Sequence, residues 1–160
     1  GVQTFALPIL ILNLLAAAVD HDERATGMFL SRRSFAAYAD TLGPWLELSP
    51  WPIKSIDAVV YASTIGNLIL DPAVYHVADG VRPVRIVPVA TWPYAKSFRG
   101  SVTITGVAGF DGPEDVPPLA LQAVRVLLAE FYENREIGAL SAAAERSMAW
   151  LLRDLKVKRL

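Results

Sequence analysis

The chain contains no cysteine, which removes disulfide scaffolds, thiolate nucleophiles and Cys-ligated zinc from consideration. Histidine is scarce too. His21 and His76 are the only two, so a multi-histidine metal site cannot be built within one chain. Neither sign of charge is in excess: 15 Lys and Arg stand against 16 Asp and Glu, a net charge of -1. A dedicated nucleic-acid binder needs a basic surplus to replace phosphate counterions, and a disordered acidic tail needs the opposite. Long apolar runs are missing as well. Leu7–Val19 is nearly uniform but falls short of the roughly 20 residues a membrane span takes. No Lys or Arg precedes Arg24, so the basic region of an export signal is absent from it.

What is present is apolar. The 160 residues fit one domain. Apolar residues make up 53%, charged ones only 19%, and mean hydropathy is +0.36. A soluble chain of this size with that balance is expected to hide extra surface against partners. The opening GVQTFALPI (residues 1–9) resembles the in-frame translation of a sequencing-library adapter, GVQTCALPI, with only Phe5 departing. Residues 1–9 are therefore read as a non-native scar and 10–160 as a single domain.

From Leu10 the pattern is helical: Ile11, Leu14, Leu15 and Ala18 recur at i, i+3, i+4 and i+7, while Asn13, Asp20 and Arg24 fall off that face. Gly27 is placed to end the helix in a left-handed turn. Over 28–106 frequent Pro and Gly break any long helix. Short β-branched and aromatic runs predict strands at Met28–Tyr38, Trp45–Leu48, Ile56–Tyr61, Val74–Val77, Val84–Val87 and Ser101–Thr105, paired as antiparallel hairpins. Pro83 and Pro88 bracket one strand and mark it as an edge. After the loop 106–113, Glu114 and Asp115 precede a helix from Val116 to about Glu136, with Pro in its first turn. Its polar line is thin: Gln122, Arg125, Ala129 and Glu133. A helix this apolar is packed on more than one side. A second helix, Leu140–Leu155, carries the stripe Leu140, Ala144, Met148, Leu151, Leu152 and Leu155. Trp150 lies off the stripe between Arg146 and Arg153. It is either covered by a stacked guanidinium or is an anchor for a partner. The chain closes on the basic tail 156–160. The fold class is α+β: a small helical bundle with a β-hairpin-rich antiparallel insertion between the N-terminal helix and two C-terminal helices.

Chemical signals are weak. Asp20-His21-Asp22-Glu23 sets an imidazole among three acids, but consecutive helical residues diverge, and a solvated helix end is the expectation. His76, between Tyr75 and Val77, reads as structural. Ser31, Ser34, Ser49 and Ser55 lack the Gly-x-Ser-x-Gly setting of a nucleophile elbow. Gly106, Gly109 and Gly112 precede a helix without a following Gly-Lys-Ser/Thr, and Glu114 and Asp115 would repel phosphate, so these glycines read as turn residues. No catalytic residue, cofactor or metal ligand is assigned. A small hydrolase or metal-dependent enzyme remains the distant alternative.

Several segments in order carry a family likeness. They are Glu23-Arg24-Ala25-Thr26-Gly27, Leu48-Ser49-Pro50-Trp51-Pro52-Ile53-Lys54-Ser55-Ile56 and Asp71-Pro72-Ala73-Val74-Tyr75-His76-Val77. Ser101–Thr105 through Gly109-Phe110 and Val116-Pro117, ending Phe131-Tyr132-Glu133-Asn134-Arg135-Glu136, is the most specific. Over residues 10–160 the chain resembles the head–tail connector (adaptor) proteins of long-tailed bacteriophages and phage-derived gene transfer agents. It departs at Val107 and lacks the family's opening helix. The resemblance implies a non-enzymatic ring subunit in the virion neck, assembled in the host cytoplasm. Such a ring, dodecameric in the family, sits under the portal protein, extends the channel for double-stranded DNA without binding it specifically, and meets a tail-side stopper or tail completion protein. No membrane is involved. It also implies portal docking by Trp150, Arg153, Lys156, Lys158 and Arg159. Arg125, Glu133 and Arg146 are the ring-interface candidates. A stopper or tail terminator is the nearest alternative within the neck.

Overall fold

The computed structural model describes residues 3–134 and 140–156, with side chains from residue 8 onward. It divides into two compact units. One is formed by the chain up to Leu30 and again from Gly112; the other by Ser31–Asp111.

The first unit is helical. Helix α1 (Gln3–Thr26) starts well before Leu10 and carries Pro8 within it. It ends as the sequence predicts: Gly27 takes φ 72° and donates its N–H to the Glu23 carbonyl at 2.8 Å. A side chain would be strained there, which is why the stop falls on glycine. Helix α2 (Pro118–Glu133) begins with Pro in its first turn. Its predicted thin polar line, Gln122, Arg125, Ala129 and Glu133, is exposed, and α2 packs against both other helices. Helix α3 (Ala142–Leu151) is shorter than expected but buries the expected stripe. Ala18 of α1, Ala123, Val124 and Leu127 of α2, and Met148 and Leu151 of α3 form the core with Leu152. Fully burying a side chain such as Leu127 is worth about 2–3 kcal/mol.

The second unit is all antiparallel. One sheet has the order β1 (Arg33–Ala39), β7 (Val102–Ala108), β3 (Ile53–Ser63), β4 (Gly66–Ile69). The other has the order β2 (Leu46–Leu48), β6 (Val84–Pro88), β5 (Tyr75–Ala78). Strict alternation along β7 buries Val102, Ile104, Gly106 and Ala108. Three expectations need correction. The first strand starts at Arg33, not Met28, because Met28 is buried as part of the helical unit. Strand β4 was not foreseen: it is short, wholly exposed and opens on Gly66. Finally, β6 is central, not an edge. Val89 N–H bonds the Val74 carbonyl, so residues 85, 87 and 89 face β5 and Pro88 turns its missing N–H the other way. There β2 has already ended, opposite Ile86. Neither proline removes a ladder bond.

Candidate functional site

The described docking candidates, Trp150, Arg153 and Lys156, sit on and just after α3, so what fixes α3 positions them. Ser141 caps the helix: its Oγ accepts the Ala144 N–H at 3.2 Å. The Ser141 N–H in turn donates to Glu130 Oε1 at 2.8 Å, tying the start of α3 to the last turn of α2. That bond from the Ser141 backbone, with its hydroxyl and Asn134 assisting, holds the Glu130 carboxyl below its usual range. On α3 so placed, Trp150 is 67% exposed. It forms one wall of an open groove of about 530 Å3 between α2 and α3, with Gln122, Val126, Arg146, Ser147 and Leu151.

Of the ring-interface candidates, Arg146 is in that groove. Arg125 and Glu133 lie two turns apart on the exposed line of α2. Arg153 is exposed and directs Nε to Asp154 Oδ1 at 3.3 Å, and Lys156 is exposed. Lys158 and Arg159 lie outside the described residues. Among the described residues no guanidinium stacks on Trp150. Stacked pairs occur instead in the second unit, Arg82 over Trp51 and Arg85 over Trp45, each at 4.6 Å. Composition did not point to them, since the partners are brought together by the β2–β6 pairing and its surroundings.

The acidic run on α1 differs from expectation. Asp20 pairs with Arg24 at 2.9 Å, and His21 is exposed. Asp22 and Glu23, however, are buried, so this is not a solvated helix end. Asp22 lies four residues after Ala18 and shares its inward face. Glu23 accepts the Leu30 N–H at 2.8 Å. The Asp22 carbonyl receives Thr26 Oγ1 at 2.8 Å, but among the described residues neither carboxyl oxygen of Asp22 has a hydrogen-bond partner. Burial, with the neighbouring Glu23 charge, pushes the Asp22 carboxyl up to about 6. The four residues do not converge on a point. Among the described residues no three His, Asp or Glu side chains gather as metal ligands, and no helix is long and apolar enough to cross a membrane.

The glycine series also divides. Gly109, with φ 111°, turns the chain, but Gly106 is a strand residue whose Cβ would strike the Ser55 carbonyl and lie 3.0 Å from the Phe35 ring. It is there for close backbone approach, not for a turn.

No family model and no curated protein matches this chain. Solved structures do. The chain is 24% identical, with a TM-score of 0.77, to one from the neck of the native GTA particle computed with C12 symmetry, covering 94% of this chain and 84% of that one. A chain from the neck of the empty GTA particle, computed with C6 symmetry, gives 24% identity and 0.77, covering 95% and 80%. One from the virion of the native gene transfer agent particle gives 22% and 0.77, covering 95% and 79%. At these identities the likeness is one of fold.

Proposed function

We propose that this chain is a non-enzymatic subunit of a phage-type neck: a head–tail adaptor whose copies close into a ring beneath a portal protein and carry the DNA channel toward the tail. The observation that carries the reading is the shared fold, over 94% of the chain, with a chain of a GTA particle neck computed with C12 symmetry. The surface supports it. Leu12, Tyr38, Ile65, Ile69, Tyr94 and Trp150 are each more than half exposed. A monomer would place that much apolar surface against water, whereas a ring subunit covers two faces with its neighbours. The balanced charge suits a conduit, because a strongly basic lumen would hold the phosphates of passing DNA.

In this reading the exposed Trp150 anchors the subunit to the portal, with Arg153 and Lys156 beside it and Lys158 and Arg159 continuing the basic tail. Arg125, Glu133 and Arg146 face sister subunits. A tail-side stopper or completion protein binds the far rim of the ring, and the assembled ring resides in the virion neck. The test is co-sedimentation with portal-bearing heads. The wild-type chain sediments with them. Trp150→Ala, at an exposed position, keeps its melting temperature but sediments with heads at least roughly tenfold less, as expected when an interface hot spot is lost. Undiminished co-sedimentation of the variant refutes the docking role, and absence of the wild-type chain from assembled particles refutes the neck reading itself.

A further inference from the structure

Two surfaces in different parts of the chain share an unusual property: neither carries a charge, and each exposes large apolar side chains. The first is the Leu10–Val19 part of α1, where there is no charged residue. Leu12 is 62% exposed, with Ile11, Leu15, Ala16 and Ala17 also exposed, so apolar side chains face solvent around more than half of the helix circumference. A helix of that character is ordinarily buried.

The second is one face of the four-stranded sheet. Register puts Tyr38, Thr103, Val60 and Ile69 in one row across β1, β7, β3 and β4, with Ala36, Thr105 and Ala58 in the next row on the same face. The opposite face carries the buried residues Phe35, Ile104 and Val59. A sheet face left to water normally carries polar and charged side chains. Here neither row has a charge, and Tyr38 and Ile69 at its two ends are 70% and 71% exposed. The nearest acid along β3, Asp57, sits at the bulge and accepts a hydrogen bond from Ser55 at 3.0 Å.

We infer that these two surfaces are the two halves of one contact: the Leu10–Ala17 stretch of one copy lies across the Tyr38–Ile69 sheet face of the next. The inference rests on the ring reading above and says which faces build the ring. The occupant is a second copy because both surfaces lack charge, so each covers the other without stranding an ion, whereas a charged partner would be desolvated against either with nothing to pair. Helix laid on sheet is a stable layer arrangement. The two faces are different, and a contact between different faces is the kind that repeats head to tail and closes into a ring.

The lack of native cysteine makes the test clean. Leu12→Cys and Ile69→Cys, both at exposed positions, are introduced singly and together into the full chain, which is treated with a short bismaleimide cross-linker, free and bound to portal-bearing heads. The double variant gives a ladder of covalent multimers. An equimolar mixture of the two single variants gives dimers and stops there, and neither single variant cross-links alone. Cross-linking of one single variant to itself overturns the proposal, because the contact would then join like faces. Rings seen by electron microscopy without a ladder overturn the proposal and leave the neck reading standing. A chain that neither cross-links nor forms rings in either setting overturns both. As an independent readout, Leu12→Asp and Tyr38→Asp each weaken self-association at least roughly tenfold, about 1.4 kcal/mol, with unchanged melting temperature. Unchanged association in both refutes the contact.

Discussion

Replacing Asp22 by Asn tests the least expected feature of the helical core. The side chain is fully buried, and among the described residues neither carboxyl oxygen meets a hydrogen-bond donor. Its pKa is raised from 3.8 to about 6, first by burial and then by the Glu23 charge. The folded protein therefore holds this proton more tightly than the unfolded chain does. Stability contributed by Asp22 is highest when the carboxyl is neutral, and it is lost as pH rises from about 4 through 6. A shift of roughly two units, at 1.36 kcal/mol each, amounts to about 3 kcal/mol. Asn keeps the shape and cannot ionise. Asp22→Asn is thus expected to gain up to about 3 kcal/mol over wild type at pH 8 relative to the same comparison at pH 4. Urea unfolding followed by far-UV circular dichroism at a series of pH values measures this. Taking the difference from wild type at each pH cancels the groups shifted the other way, Asp111 and Glu130. A difference that stays flat with pH would mean that folding does not shift the carboxyl, and an Asn variant clearly less stable than wild type at pH 8 that the carboxylate is ionised and paired in the fold; either result refutes a buried, unpaired Asp22.

Other substitutions probe the geometry directly. Gly106→Ala drives a methyl group into the Ser55 carbonyl and toward the Phe35 ring and should cost about 3 kcal/mol, read as a fall in urea midpoint. A neutral outcome would mean that β3 and β7 are not this close. Ser141→Ala removes the α3 cap and should cost about 1 kcal/mol in thermal or urea unfolding. Trp150→Ala should leave the melting temperature within a degree or two, roughly, of wild type, since exposed sites are tolerant, while head attachment falls.

The elements whose signal is local were legible in the sequence. The Leu140–Leu155 stripe and the Val102–Ile104 alternation each record one face turned inward, and the helical period 3.6 or strand period 2 is enough to recognise it; the Ile11–Ala18 repeat announced a helix, but of its four residues only Ala18 is buried, and Ile11 and Leu15 are exposed. Gly27 announced its own turn because few other residues tolerate φ 72°. The exposed state of Trp150 followed from its position off the stripe. What depends on distant partners was decided only by the tertiary structure. The Pro83–Pro88 strand is central because its neighbours are short enough, and phased so, that the prolines interrupt no bond. Asp22 is buried because its helix face is covered for reasons of packing, whatever its own polarity. Gly106 serves β3 and Phe35, neither of which is near it in the chain. The charge-free sheet face is assembled from four strands separated by up to 70 residues, and no window of sequence contains it. Periodicity is written along one element and can be read there, but pairing partner, register and the composition of a shared face arise only when elements meet.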